Sequence, residues 1–346
     1  MRQSEPANLP AFMPAARLHG PGDLRLETLP CPACPPRGAV VRVRAAGICA
    51  SDLKMFRAGH KELTLPRVLG HETAGEVAAV GPEVRGWRPG DPVLVFPGLV
   101  CGECPACRAG RDNLCAAIRV LGFSADGGMA GYLAVEEADR ALIPLPPGLS
   151  PVTATLAEPL ACGLNALSRA GLAPGEAVVV LGAGVVGRLA AAAARARGAG
   201  TVLLADLNPA RLTAWAGPSL DASAGDPVAR ARELLGGGAA VVIPANPAPE
   251  ALAWGLDLLA LGGRLVLFSG LKQSLSLDLN RLHYGEQTLT GAYGCTLAQC
   301  REALGLLATG QAPAADLVSR VLPLAAAPEA FRLAASGDYL KIVLEP

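Results

Sequence analysis

Ala177-Val-Val-Val-Leu181-Gly182-Ala-Gly184-Val185-Val186-Gly187 is a run of aliphatic residues that meets three spaced glycines and continues into an alanine-rich stretch. The pattern reads as strand, tight turn and helix. Gly182 permits the turn, Gly184 lets a pyrophosphate approach the backbone, and Gly187 lets helix and strand touch, while the helix start at Val185 and Val186 offers unpaired N–H groups to phosphate. In a chain with 41 glycines the spacing alone decides little. Asp206 decides more. It ends the next apolar run, nineteen residues after Gly187, where a carboxylate accepts hydrogen bonds from both ribose hydroxyls of NAD and repels the extra phosphate of NADP. The expected cofactor is therefore NAD, and Arg211 is a further candidate contact at the adenosine end.

From Leu156 onward, apolar β runs alternate with helical patterns: Ala177 to Leu181, 185 to 197, Val202 to Ala205, 208 to 215, 227 to 235, Ala240 to Ile243, 249 to 260 and Arg264 to Phe268. Such alternation predicts an α/β, Rossmann-type domain with a parallel sheet. Before it, from about 38 to 145, short strands separated by Gly and Pro predict a mainly β lobe. The expected division is a disordered extension over 1–12, a β lobe over 13–160 that recovers 291–346, and a nucleotide domain over 161–290. With 346 residues the chain is long enough for both. Thirty basic and thirty acidic residues cancel, which argues against nucleic acid and anionic membrane as partners and favours a small, weakly charged substrate. No signal pattern opens the chain, so a soluble cytoplasmic protein is expected, and ten cysteines then suggest metal ligands and reduced thiols.

Four of those cysteines crowd into fifteen residues, Cys101-x2-Cys104-x2-Cys107-x7-Cys115. Thiolates so close can surround one tetrahedral zinc, and four sulfur ligands leave no position for a substrate. Such a metal would hold a lobe together. A second set of zinc-type ligands, Cys49, His71, Glu72 and Glu158, lies in the β lobe and at its end.

Gly47-Ile-Cys49-Ala-Ser51-Asp52 and Gly70-His71-Glu72-Thr-Ala-Gly75-x5-Gly81-x2-Val84, followed by the four-cysteine loop, Glu158-Pro-Leu and the glycine turn, resemble the medium-chain zinc-dependent alcohol and polyol dehydrogenases. The likeness runs from about Met13 to the C-terminus in the family's order. Glu158 in place of a cysteine ligand looks like the sorbitol and threonine dehydrogenase branch. Gly47 to Lys54 is similar to erythritol and threitol dehydrogenases, and Leu121-Gly-Phe with Glu158-Pro-Leu is similar to aminocyclitol dehydrogenases. The resemblance implies a GroES-like catalytic domain, a catalytic and a structural zinc, and homodimers or homotetramers. It makes Cys49 and His71 zinc ligands, with Glu72 and Glu158 completing the sphere directly or through water, and leaves open which carboxylate binds. Ser51 takes the place of the proton-relay hydroxyl, Asp52 that of the carboxylate orienting the histidine, and Lys341 that of a cation on the cofactor pyrophosphate. Lys54 departs from the family's usual histidine.

The implied reaction is reversible hydride transfer between a secondary alcohol, such as a polyol, cyclitol or aminocyclitol, and NAD, forming a ketone. Two other readings keep the same motifs: a zinc-independent NADPH quinone or enone reductase, and a non-catalytic zinc- and nucleotide-binding protein.

Overall fold

Alternating strand residues dominate the chain from Phe12 to Pro144, and the computed structural model, which describes residues 9–271, 274, 276–312, 314 and 316–346, folds them into extended sheets. Two units result. One holds the chain through Glu158 together with Thr296–Ala308 and Ala314–Pro346; the other holds Pro159–Cys295 and the stretch from Thr309. Of the expected N-terminal extension, residues 1–8 lie outside the described residues, and the first strand begins already at Phe12. Among the described residues no helix is long and apolar enough to cross a membrane.

The first unit is built on strand Ala39–Gly47. It pairs antiparallel along its length with Glu72–Val80, and on its other side with Tyr132–Val135 at the beginning and Lys341–Glu345 at the end. Val318–Pro323, Pro92–Val95 and Leu142–Pro144 complete the sheet. A smaller sheet of Asp23–Pro30, Phe12–Gly20 and Arg67–Val68 adjoins the same core. Leu18, Met55, Leu69, Leu121, Met129 and Phe331 are among its fully buried side chains. Each such side chain contributes about 1.5–3 kcal/mol of hydrophobic burial. Two register consequences matter for function. Gly47 lies opposite Glu72 on one side and opposite Val343 on the other, so three distant parts of the chain meet there.

The second unit is a six-stranded parallel sheet ordered Ser219–Asp221, Val202–Asp206, Val178–Leu181, Ala239–Pro244, Leu259–Leu267, Thr288–Gly291. In chain order this is the 3-2-1-4-5-6 arrangement of a doubly wound nucleotide fold, in which ligands bind at the carboxyl ends of the strands where the order reverses. That point is Leu181 beside Pro244. Helix Val185–Ala196 covers the first strand with an unbroken buried face from Gly187 to Ala194. Helix Pro227–Leu235 starts where expected, capped by the Asp226 carboxylate, and ends at left-handed Gly236. The expected helix over 208–215 is absent. Asn208 accepts the Ala210 N–H as a helix cap would, yet only a three-residue turn, Pro209–Arg211, follows. Trp215 then turns back to donate its indole N–H to the Pro218 carbonyl at 3.0 Å, and the chain enters strand Ser219–Asp221.

Gly187 has no room for a side chain, since a Cβ there would stand 1.8 Å from the Gly182 carbonyl oxygen. Gly187→Ala is expected to destabilise the nucleotide unit by about 3 kcal/mol, the upper range for overpacking. Urea denaturation should show an earlier transition in this variant, whereas Gly184→Ala, whose Cβ meets no protein atom within 4 Å, should leave the transition near that of the parent.

Candidate active site

Cys49 is the N-cap of helix Ala50–Ala58, and Asp52 in its first turn accepts the Cys49 N–H at 2.9 Å. This reciprocal cap fixes the thiol at the end of strand Ala39–Gly47. His71 and Glu72 follow Gly70 at the start of the neighbouring strand, whose register sets Glu72 beside Gly47. The sulfur of Cys49, a His71 nitrogen and a Glu72 oxygen consequently lie within 4.8 Å of one another. His71 and Glu72 are buried. The Asp52 carboxylate faces His71 Nδ1 at 3.5 Å, and neither of the two facing atoms has a closer hydrogen-bond partner. A proton on Nδ1 is thus the favoured neutral tautomer, leaving the lone pair of Nε2, 3.3 Å from Ser51 Oγ, available to a metal.

Lys341 is the site's unexpected member. As a cofactor contact it would have to face a pyrophosphate; instead its ammonium is buried and lies 2.7 and 2.6 Å from the two Glu72 oxygens, with the Ile48 carbonyl at 3.1 Å. The reason is register, because the final strand docks beside Gly47. Gly47 must be a glycine for the same reason. A Cβ there would stand 2.1 Å from Glu72 Oε2, in the lane the carboxylate uses to reach Lys341.

The charges of the site act on each other strongly. Burial opposes charging of Lys341, but Glu72 and Cys49 outweigh it, with a smaller contribution from Glu158, and its pKa moves above the usual lysine value. Burial likewise opposes a charged His71. Asp52 and Cys49 prevail, and the imidazole pKa moves well above its ordinary value. Glu158 stands in the first turn of helix Ala157–Ala170, outside the group formed by Cys49, His71 and Glu72. One thiolate, one imidazole and a carboxylate are a donor set suited to zinc, with a position left for a ligand.

Cys101, Cys104, Cys107 and Cys115 also bring their sulfurs within 4.8 Å of one another. Backbone N–H groups of Cys107 and Ala116 lower the Cys104 thiol to about 6, toward the thiolate a metal requires. The Cys101 N–H points at Cys115 Sγ and the Cys104 N–H at Cys101 Sγ, each at 3.4 Å. Arg140 clasps the loop through the Cys101 carbonyl at 2.6 Å.

In the second unit a cavity of about 670 Å³ opens at the strand ends and is lined by Gly182, Gly184, Asp206, Arg211, Asn246 and Trp254, among others. Asp206 Oδ2 accepts the Ala183 N–H at 2.6 Å and Oδ1 the Asn208 N–H at 2.8 Å. Two of the roughly four acceptor sites of a carboxylate remain for a ribose. Gly184 caps helix Val185–Ala196 without a side-chain hydrogen bond, so the N–H groups of Val185 and Val186 stay available to phosphate. The open space at the Gly184 Cβ position fits a dinucleotide. Asn246 and Trp254 escaped the sequence reading. Asn246 donates to the Leu181 carbonyl at 3.1 Å, and its place just past strand Ala239–Pro244, the neighbour of the first strand, was the available signal.

Comparison with known proteins agrees with this geometry. Residues 35–147 match the alcohol dehydrogenase GroES-like domain and residues 185–309 the zinc-binding dehydrogenase domain. L-galactonate-5-dehydrogenase of Escherichia coli K12 is 36% identical over 298 residues, 85% of this chain and 86% of that one. The chain belongs to the medium-chain zinc-dependent alcohol and polyol dehydrogenases. Sorbitol dehydrogenase of Bacillus subtilis 168 is 41% identical over 210 residues, 60% of this chain and 59% of that one. A zinc-binding dehydrogenase-type protein of Sinorhizobium meliloti 1021, solved bound to NADP, superposes with a TM-score of 0.90 at 32% identity, covering 97% of this chain and 100% of that one. The dehydrogenase therefore carries a GroES-like unit and a Rossmann-type unit, and it acts on secondary alcohols with a nicotinamide nucleotide.

A metal at His71 must displace the proton that Asp52 and Cys49 hold on the imidazole. Because that pKa is raised, zinc at Cys49 and His71 is expected to weaken by at least about tenfold per pH unit as the pH falls below it, one proton being exchanged at the imidazole and a second at the Cys49 thiol where that is protonated. Chelator competition at several pH values, read by released zinc, checks this.

Proposed function

We propose that this dehydrogenase oxidises one secondary hydroxyl of a polyol, cyclitol or aminocyclitol to a ketone, reversibly, with NAD. Cys49, His71 and Glu158 would hold the catalytic zinc, and Cys101, Cys104, Cys107 and Cys115 the structural one. The observation that carries the ligand choice is the pairing of both Glu72 oxygens with Lys341. With its charge matched in this way, Glu72 serves best as the nearby carboxylate reaching the metal through water, leaving Glu158 as the direct ligand. When bound, zinc supplies Lewis acidity at the substrate oxygen and NAD accepts the hydride.

The chain's own groups do the rest. Ser51 Oγ, held beside His71, takes the hydroxyl proton and hands it to solvent. Lys54 is exposed on the same helix, three residues on, and stands at the water end of that path. Asp52 keeps the His71 ring in its ligating tautomer. Asp206 favours the free ribose hydroxyls of NAD over the phosphate of NADP, and Arg211 lines the same cavity. The polyol class is supported by the relatives named for galactonate and sorbitol. A chain of ten cysteines that supplies metal-type sulfur ligands suits the reducing cytoplasm. Thr288–Gly291 is an edge strand with exposed Leu279, Tyr284 and Tyr293 near it in sequence, which supports a homodimer or homotetramer.

Metal-replete protein is expected to reduce NAD faster than NADP with a panel of acyclic polyols, inositols and aminocyclitols. Cys49→Ala and Glu158→Gln should lose the catalytic zinc while keeping the structural one, with kcat/KM down by at least about a thousandfold for Cys49→Ala, some 4 kcal/mol of barrier. A Cys49→Ala protein as active as its parent would contradict the assignment.

A further inference from the structure

Helix Ala50–Ala58 ends at Gly59, whose N–H closes on the Met55 carbonyl at 2.9 Å with φ of 70°. The element that carries Cys49 at its start therefore presents His60 just past its end. The helix is held by buried Asp52 and Met55 and by the Phe56 ring, edge-on to Phe331 at 5.4 Å. In the turn that follows, His60 Nδ1 accepts the Glu62 N–H at 3.2 Å, and its carbonyl accepts the Leu63 N–H at 3.0 Å. With Nδ1 used as an acceptor, the neutral imidazole carries its proton on Nε2. No group among the described residues pairs with that N–H.

Three rings make one wall. His60 stands edge-to-face on Phe123, with centroids 5.4 Å apart and planes at 85°, and Phe123 in turn lies 5.4 Å from His71. Phe123 is itself fixed, its N–H donating to the Val120 carbonyl at 3.1 Å within the turn that leads to Ala125. A substrate whose reacting carbon sits at His71 would run its chain along the carbon surface of Phe123. The next ring in the row is His60, whose Nε2–H has no protein partner among the described residues.

We propose that His60 is a specificity-determining residue that donates a hydrogen bond to a substrate hydroxyl distal to the reacting carbon, selecting polyols over simple secondary alkanols. This rests on the alcohol dehydrogenase reading above. The test compares kcat/KM for hexitols and butanediols with that for butan-2-ol and hexan-2-ol, in the parent, His60→Ala and His60→Gln, each first checked for zinc content and melting temperature. The polyol-to-alkanol ratio is expected to fall about tenfold in His60→Ala, chiefly through KM, as the loss of one neutral hydrogen bond implies. His60→Gln, which keeps an N–H donor, should recover part of the ratio. A ratio in His60→Ala within about twofold of the parent's, or an equal fall for alkanols and polyols, overturns the proposal. A parent protein that oxidises neither class overturns the dehydrogenase reading, and this assignment with it.

Discussion

The buried pair of Lys341 and Glu72 is the constraint on which the catalytic unit is organised. Taking two ions out of water costs several kcal/mol each, and only close, fully satisfied contacts offset it. Here the ammonium meets both carboxylate oxygens and a backbone carbonyl within 3.1 Å. Removing one partner would strand the other charge, at about 3–5 kcal/mol. The sign of the pH dependence follows from the raised pKa of Lys341: its stabilisation is complete below the unfolded lysine value and is lost only as the pH rises through the folded one. At neutral pH, below the raised lysine pKa, the ammonium is charged and the pair is intact.

That pair also ties the site to the whole length of the unit. Cys49 arrives on the helix after one strand, His71 and Glu72 at the start of the next, and Lys341 on the last strand of the chain. Gly47 is where the three meet, and its missing Cβ is what allows Glu72 to cross. The four-cysteine loop is the opposite case. All four cysteines lie within fifteen residues, their sulfurs receive N–H groups from inside the loop, and Arg140 and the Leu297 N–H hold it from outside. One cluster of metal-type donors is assembled by tertiary register, the other by local chain geometry.

This difference explains what could be read from the residues alone. The glycine turn, Asp206, the four cysteines and the pair His71-Glu72 are local patterns legible from spacing; in the fold the four sulfurs converge, Asp206 and the glycines line one cavity, and His71 and Glu72 lie close to Cys49. The resemblance puts Lys341 at the cofactor pyrophosphate, and only strand pairing reveals the Glu72 carboxylate beside it. Register information of that kind is not local. Strands Ser219–Asp221 and Thr288–Gly291 are too short for alternation to show, and the turn at Pro209–Arg211 begins with a genuine cap that the Trp215 to Pro218 contact then overrides. His60 belongs to no motif; its setting comes from Phe123, sixty-three positions later in the chain.

Asp206 carries two duties that sequence patterns treat as one. Its Oδ2 accepts the N–H of Ala183, inside the glycine turn, and its Oδ1 accepts that of Asn208, at the start of the turn after its own strand. The carboxylate proposed to choose between NAD and NADP therefore also holds the phosphate-binding turn against the second strand. Exchanging it for a residue with no acceptor there, to admit a ribose phosphate, would leave the Ala183 N–H unpaired, at a cost of about 1–3 kcal/mol where that group is buried. Discrimination and turn integrity are thus coupled in one side chain. A change of cofactor preference in this chain requires a residue that still accepts from Ala183 while withdrawing negative charge from the ribose.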